Sequence, residues 1–307
     1  MHHHHGHDHS HHDHSNQNKQ NRAGLMMALI ITSAILLLEL IGGWMTNSLA
    51  LLSDAGHMFS DAASLLLSLI AVQLALHAEA SQRKSYGYHR FEIIAAFING
   101  AALLIVSLII IKEAIERFQM PPTVHSSGML IIAVIGLLCN LLSAWILTRK
   151  GDVKENINLR SAYLHVLSDA LGSIGAIVAA LLIRFFAWDW ADPLISLVIA
   201  LLIIKSGWGV LQHSTHILME GTPETIDTNE VKKVLQSIPG VVDVHDLHIW
   251  TITSGLHSLS CHLLIGDEEC SQSILKQALE KMKSNFALEH ATIQVEKNEV
   301  THTKCQY

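Results

Sequence analysis

Six apolar stretches, each about as long as a bilayer is thick, limit what this chain can fold into. They run from about Leu25 to Trp44, Leu49 to Leu76, Ile93 to Ile111, Met129 to Leu147, Leu159 to Phe186 and Leu194 to Leu211. Each is close to or above the ~20 residues that cross a bilayer as a helix. Only 15% of the 307 residues are charged and half are hydrophobic, against about a quarter charged in a soluble domain. The expectation is a membrane all-α bundle of six transmembrane helices, residues 23–212. An even number of spans puts both termini on one side. Arg83, Lys84 and Arg90 lie between spans two and three, and Arg149, Lys150, Lys154 and Arg160 between four and five. The positive-inside rule makes that side cytoplasmic, with Trp188 and Trp190 in the outer interfacial belt. Lys112, Arg117 and Arg184 fall on the outer side and dissent. A multi-pass protein of the cell membrane follows.

Inside two of these stretches one phrase occurs twice. His57-Met58-Phe59-Ser60-Asp61-Ala62 and His165-Val166-Leu167-Ser168-Asp169-Ala170 both read H-x-x-S-D-A. Residues four apart share a helix face, so each copy offers an imidazole and a carboxylate in one direction. Two such helices packed together would assemble two nitrogens and two oxygens, a set that suits tetrahedral Zn²⁺. An Asp in mid-membrane costs roughly 2.5–3.5 kcal/mol on insertion scales. A purely structural His–Asp pair on each helix would not account for the shared Ser and Ala. Asp54, three residues before His57, is read either as a group that orients that ring or as one solvated at a cavity mouth. Glu39 reads as part of a water path. Asn99, Asn140 and Lys205 read as interhelical hydrogen-bonding groups, the alternative being the same water path.

Residues 1–22 are polar, with nine His among the first fourteen. They are expected to be a disordered, metal-collecting cytoplasmic tail, the alternative being an affinity tag. After the sixth span, residues 213–297 are expected to form a small α+β domain of order α-β-β-α-β. Its helices are Asp227–Ile238 and Ser271–Asn285, its strands Val241–Thr251, Leu256–Ile265 and Ala291–Glu296. His245, His248, His262, His290 and Glu296 fall on or near the strands. His290 and Glu296 share strand parity and point away from the apolar face. Such a patch suits zinc, the alternative being ordinary surface polarity. His77, Glu79 and His89, in the loop after span two, read as a solvated loop rather than a metal site. Residues 298–307 look like a loose end. Scattered basic residues give no sign of nucleic-acid binding. Cys139, Cys261, Cys270 and Cys305 have no C-x-x-C spacing, which fits a tail in reducing cytosol. Nothing resembles a cleaved signal peptide.

These pieces together resemble the cation diffusion facilitator family. Ser48-Leu49-Ala50-Leu51-Leu52-Ser53-Asp54-Ala55-Gly56-His57 with Asp61 is similar to its second-span motif, and His165 with Asp169 to the matching pair in span five. Val244-His245-Asp246-Leu247-His248-Ile249-Trp250 and Thr292-Ile293-Gln294-Val295-Glu296 resemble its cytoplasmic domain. The His-rich start resembles the bacterial cadmium–cobalt–zinc resistance branch. The resemblance implies a homodimer with a ferredoxin-like, metallochaperone-like cytoplasmic domain. It implies Zn²⁺ export by alternating access and antiport, with no catalytic residues and no organic cofactor. It places a central site on His57, Asp61, His165 and Asp169, and a tail site for a structural or regulatory Zn²⁺ on His245, His262 and Glu296. Two departures stand out. Only His89 matches a further loop site that some members hold, and Glu289 falls where some relatives place a tail His, so that His290 is the substitute ligand.

Zn²⁺ held by two neutral His and two Asp⁻ gives a neutral site, and the emptied site keeps two negative charges in a low-dielectric setting. Protons and metal compete for the same atoms, which would couple export of Zn²⁺, with Cd²⁺ and Co²⁺ as companions, to proton entry. Potassium is the other counter-ion that fits. A zinc sensor that binds without transporting, an intramembrane metalloenzyme and a passive channel are the competing classes. The enzyme lacks H-E-x-x-H and an open coordination position.

Overall fold

The computed structural model describes residues 12–77, 86–88, 90–150, 157–253 and 255–297. Side chains before Leu29, and those of several other helical residues including His165, lie outside the described set. So do Glu79 and His89 and the side chain of His77, on which the loop reading rested.

Six long helices account for the six apolar stretches: α1 (His12–Thr46), α2 (Leu49–His77), α3 (Phe91–Gln119), α4 (Ser126–Lys150), α5 (Ile157–Phe186) and α6 (Ala191–Leu218). Among the described residues, five of them contain a window long and apolar enough to cross a membrane, α2 being the sixth helix. α1 starts at His12, inside the segment expected to lack structure. No Pro interrupts residues 12–24, and once a helix is nucleated each further residue adds a hydrogen bond.

The chain divides into two compact units. The first comprises residues up to Val72 together with Ile98–Gly209. Its solvent relation is inverted with respect to a soluble protein. Ile98, Ile131, Leu171 and Leu202 are exposed while Glu39, Ser53, Asp54, Asn140 and Ser173 are buried. An apolar exterior around a polar interior requires a non-aqueous surrounding. Ala133, Ala176, Ala179 and Ala180 are completely buried in the core, and such small residues let helices approach closely.

The start of α2 is fixed by a distant residue. Asp192, at the head of α6, is completely buried. Its carboxylate accepts from Ser48 Oγ (2.7 Å), from the Leu49 amide (2.7 Å) and from the Ala50 amide (3.1 Å). It thus satisfies N–H groups that a helix start leaves open. Arg117, which dissented from the charge rule, donates to the Asn47 carbonyl (2.7 Å) and to Glu113 (2.9 Å) and lies 3.8 Å from Asp192. Its charge is matched locally.

The second unit comprises Gln73–Phe97 and residues from Val210 onward. It contains α7 (Thr228–Gln236), β1 (Val241–Thr253), β2 (Leu256–Ile265), α8 (Ser271–Phe286) and β3 (His290–Glu296), the expected α-β-β-α-β order. Asp227 caps α7 by accepting from the Asn229 amide (2.8 Å). The sheet order is β1-β2-β3, with β1 and β2 antiparallel and β2 and β3 parallel. A parallel pair needs a crossover, and α8 supplies it. Val231, Leu235, Ile274, Ala278 and Met282 of the helices pack on Val244, Leu259, Leu263 and Ile265 of the sheet. Burial in this core pushes the Cys261 thiol up to about 12. The head of α3 joins this unit. Arg90 pairs with Glu220 (3.0 Å), Thr253 Oγ1 donates to Glu92 (2.8 Å) and Tyr86 meets the His290 ring edge-on at 5.9 Å.

Candidate metal centres

The two copies of the repeated phrase meet. His57 and Asp61 lie one turn apart on α2, and Asp169 comes from α5. His57 Nε2 is 3.7 Å from Asp61 Oδ2 and 3.7 Å from Asp169 Oδ1. Ligand atoms of the three residues all lie within 4.8 Å of one another, a spacing that one metal ion can bridge. His57 and Asp61 are about one-fifth exposed and Asp169 is buried. The site is therefore enclosed on the α5 side and accessible from α2. His165 sits one turn before Asp169 on α5, and its side chain is outside the described set. Asp54 is buried at 3% exposure. Its carboxylate abuts Gly172 of α5, where a Cβ would come within 2.7 Å of Oδ1. Asn99 Nδ2 donates to Ser60 Oγ (2.7 Å), which makes it interhelical glue.

The second centre is built by strand register. His245 on β1 pairs directly with His262 on β2, so their rings face each other at 5.3 Å. Glu296, at the end of β3, lies 2.6 Å from His262 Nδ1 and 3.6 Å from His245 Nε2. Gln294 Nε2 donates to Glu296 Oε1 (3.0 Å) and fixes the carboxylate. A register shift follows His245, where Asp246 adopts a left-handed φ of 51°. Asp tolerates that conformation better than most residues, and the bulge turns Asp246 toward the imidazoles. Asp246 Oδ1 lies 3.1 Å from His248 Nε2, and Oδ2 lies 3.8 Å from His262 Nε2. The hydrogen bond with His248, then the positive potential of the three histidines, holds the Asp246 carboxyl below its ordinary value. Sequence reasoning did not single out Asp246; its place between two His in His245-Asp246-Leu247-His248 was the available signal.

His290 does not join this centre. It pairs with Ser258, at the opposite end of β3 from Glu296, which pairs with Leu264. At about 3.3 Å per residue, six residues separate the two by roughly 20 Å. Shared parity gave the right face and the wrong end. Glu289 is likewise engaged elsewhere, 3.5 Å from Lys283.

A multi-pass helical unit with imidazole and carboxylates converging inside it, in one chain with a small domain that carries a second such cluster, defines a membrane protein that handles divalent metal. Residues 25–219 match the cation efflux transmembrane domain, and residues 223–298 match the cation efflux protein cytoplasmic domain. The cadmium, cobalt and zinc/H(+)-K(+) antiporter of Bacillus subtilis (strain 168) is 52% identical, the alignment covering 92% of this chain and 91% of that relative. The zinc transporter ZitB of Escherichia coli (strain K12) is 40% identical over 90% of this chain and 88% of its own length. The cation efflux system protein CzcD of Alcaligenes sp. (strain CT14) is 40% identical over 90% and 87%. The chain belongs to the cation efflux, or cation diffusion facilitator, family, and is a multi-pass divalent metal cation efflux transporter.

Proposed function

We propose that the protein exports Zn²⁺ from the cytosol, with Cd²⁺ and Co²⁺ as further substrates, in exchange for protons. The convergence of His57, Asp61 and Asp169 from two spanning helices is the observation that carries this reading. The repeated phrase adds His165 as the expected fourth ligand of a mixed nitrogen–oxygen set. Such a set favours Zn²⁺, while harder ions prefer all-oxygen surroundings. The relatives whose names specify zinc, cadmium, cobalt, protons and potassium support the same reading.

The charges supply the mechanism. A divalent substrate is neutralised by two aspartates. Its departure leaves two like charges together in a poorly solvated site, which proton binding offsets. Export is then an exchange of substrate for protons at the same atoms, and alternating access of α2 and α5 delivers them to opposite sides. Both termini lie in the cytosol and the protein sits in the cell membrane as a homodimer formed through its cytoplasmic domain. In that domain His245, His262 and Glu296 fit a resident zinc, since they offer two imidazoles and a carboxylate within one ion's reach.

The test is zinc flux in sealed proteoliposomes loaded with a zinc dye, at clamped potential. Flux accelerated by an inward-directed proton counter-gradient supports the reading. Zinc binding by the cytoplasmic domain with no flux under any gradient would overturn it in favour of a sensor.

A further inference from the structure

One acidic side chain in the membrane unit takes no part in the metal cluster and has no hydrogen-bond partner among the described residues. Glu39 of α1 is completely buried, and among the described residues neither carboxylate oxygen meets a hydrogen-bond donor. The hydroxyl of Ser173 on α5 is equally buried and equally unpartnered. Both pack against the same point of α4. A Cβ added to Gly136 of α4 would stand 2.8 Å from Glu39 Oε1 and 3.4 Å from Ser173 Oγ. The missing side chain of that glycine therefore lets the Glu39 carboxyl and the Ser173 hydroxyl close on the backbone of α4.

Buried polar groups that serve only the fold are almost always hydrogen-bonded, and an ionised carboxylate buried without a donor is strongly disfavoured. A positive species at Glu39 would remove that cost. Contacts this tight leave no room at Glu39 for a metal cation that wants six or more oxygen ligands. A proton suits it. We infer that Glu39, packed against Gly136 and close to Ser173, binds a further counter-transported proton at a site separate from the metal cluster. This inference rests on the proton-exchange reading above.

The placement also explains how such a site would communicate with the metal. Ser173 follows Asp169 by four residues on α5 and so lies on the same face, one turn away. The charged groups that bear on Glu39 are Asp54 of α2 and Asp169 of α5, both acidic, while α4 contributes Gly136 at the contact. A divalent ion at Asp169 and a proton on Glu39 offset the same excess of negative charge. Each therefore makes the other less favourable, which is the reciprocal coupling an exchanger requires. The step itself is simple: an O–H bond forms at a Glu39 oxygen with a proton from water on one side and breaks on the other.

The experiment uses the full chain in sealed proteoliposomes, with potential clamped and potassium equal on both sides. The readouts are the steady-state zinc ratio against imposed pH gradient, a lumenal pH dye, and isotopic zinc/zinc exchange without a gradient. For wild type the ratio should change about tenfold per pH unit for each proton exchanged. Glu39→Gln should lose at least one such tenfold factor and its share of the dye signal while isotopic exchange continues. Glu39→Asp should keep the gradient response. A Glu39→Gln protein whose zinc ratio follows the gradient as wild type does would overturn the assignment. Loss of exchange and gradient response together, with no recovery in Glu39→Asp, would also overturn it by making Glu39 a fold residue. A wild type indifferent to the gradient would instead bring down the proton-exchange reading itself.

Discussion

The membrane cluster and the cytoplasmic cluster use the same chemistry and hold it differently. Each joins imidazole to carboxylate. In the membrane, one imidazole nitrogen faces two aspartates at equal distances of 3.7 Å. In the cytoplasmic domain, one carboxylate closes on one imidazole at 2.6 Å and is braced by Gln294. The first arrangement gathers like charges on two helices, and a cation or protons offset them. The second is fixed by strand register and by contacts of its own. A site that must release its ion every cycle gains from the first construction, and a site that keeps its ion gains from the second.

Removing the cytoplasmic ligands should separate the two roles most sharply. Glu296→Ala or His262→Ala should weaken zinc binding in that domain by about 100-fold or more, since removing even an outer partner of a ligand costs 10–100-fold. Zinc flux in vesicles should persist in both variants. Calorimetric titration and flux on the same preparation check this, and loss of flux equal to Asp61→Ala would erase the distinction.

A smaller effect should follow from changing the ligand type in the membrane. His57→Asp should shift preference toward Mn²⁺ by about tenfold relative to Zn²⁺, because a set richer in oxygen favours harder ions. A metal competition flux assay reads the ratio, and an unchanged ratio would mean that imidazole is not the filter.

Asp192 tests whether the membrane cluster depends on how α2 is anchored. Asp192→Ala leaves Ser48, Leu49 and Ala50 without their acceptor and should cost about 1–3 kcal/mol. Thermal unfolding in detergent should show a lower midpoint with zinc selectivity unchanged. Altered selectivity would mean that the cap also sets the metal geometry.

The smallest effect concerns acid. His257 is held below its ordinary value by burial, with Thr251 Oγ1 3.1 Å from Nδ1. A histidine whose folded value is depressed contributes stability that is fully present above about pH 6.5. That contribution is lost as pH falls through the folded value. His257→Gln should flatten the acid side of the cytoplasmic unit's unfolding profile, followed by circular dichroism. An unchanged slope would assign the acid sensitivity to other groups.

Much of this architecture is legible in residue order. The apolar stretches mark all six helices, because a bilayer demands length and composition that nothing else in the chain mimics. The repeated H-x-x-S-D-A marks the membrane cluster, because helical spacing turns four residues of sequence into one turn of structure. β2 has the same bounds in sequence and structure. What stays hidden is whatever depends on a distant partner. Asp192 reads as one more acid at an interface until its three donors are seen. Gly136 is an ordinary helix glycine until Glu39 is found against it. His290 shows the converse error: alternation fixes which face of a strand a residue takes, but pairing register decides which neighbours it meets there.

The central claim is that substrate moves through the membrane cluster while the cytoplasmic cluster keeps its metal. The most direct test is Asp169→Ala in sealed vesicles, with zinc flux and zinc retained by the cytoplasmic domain measured in one sample. The account predicts flux reduced by about 100-fold or more with retained zinc equal to wild type. Flux near the wild-type rate would place the transport path elsewhere and contradict it.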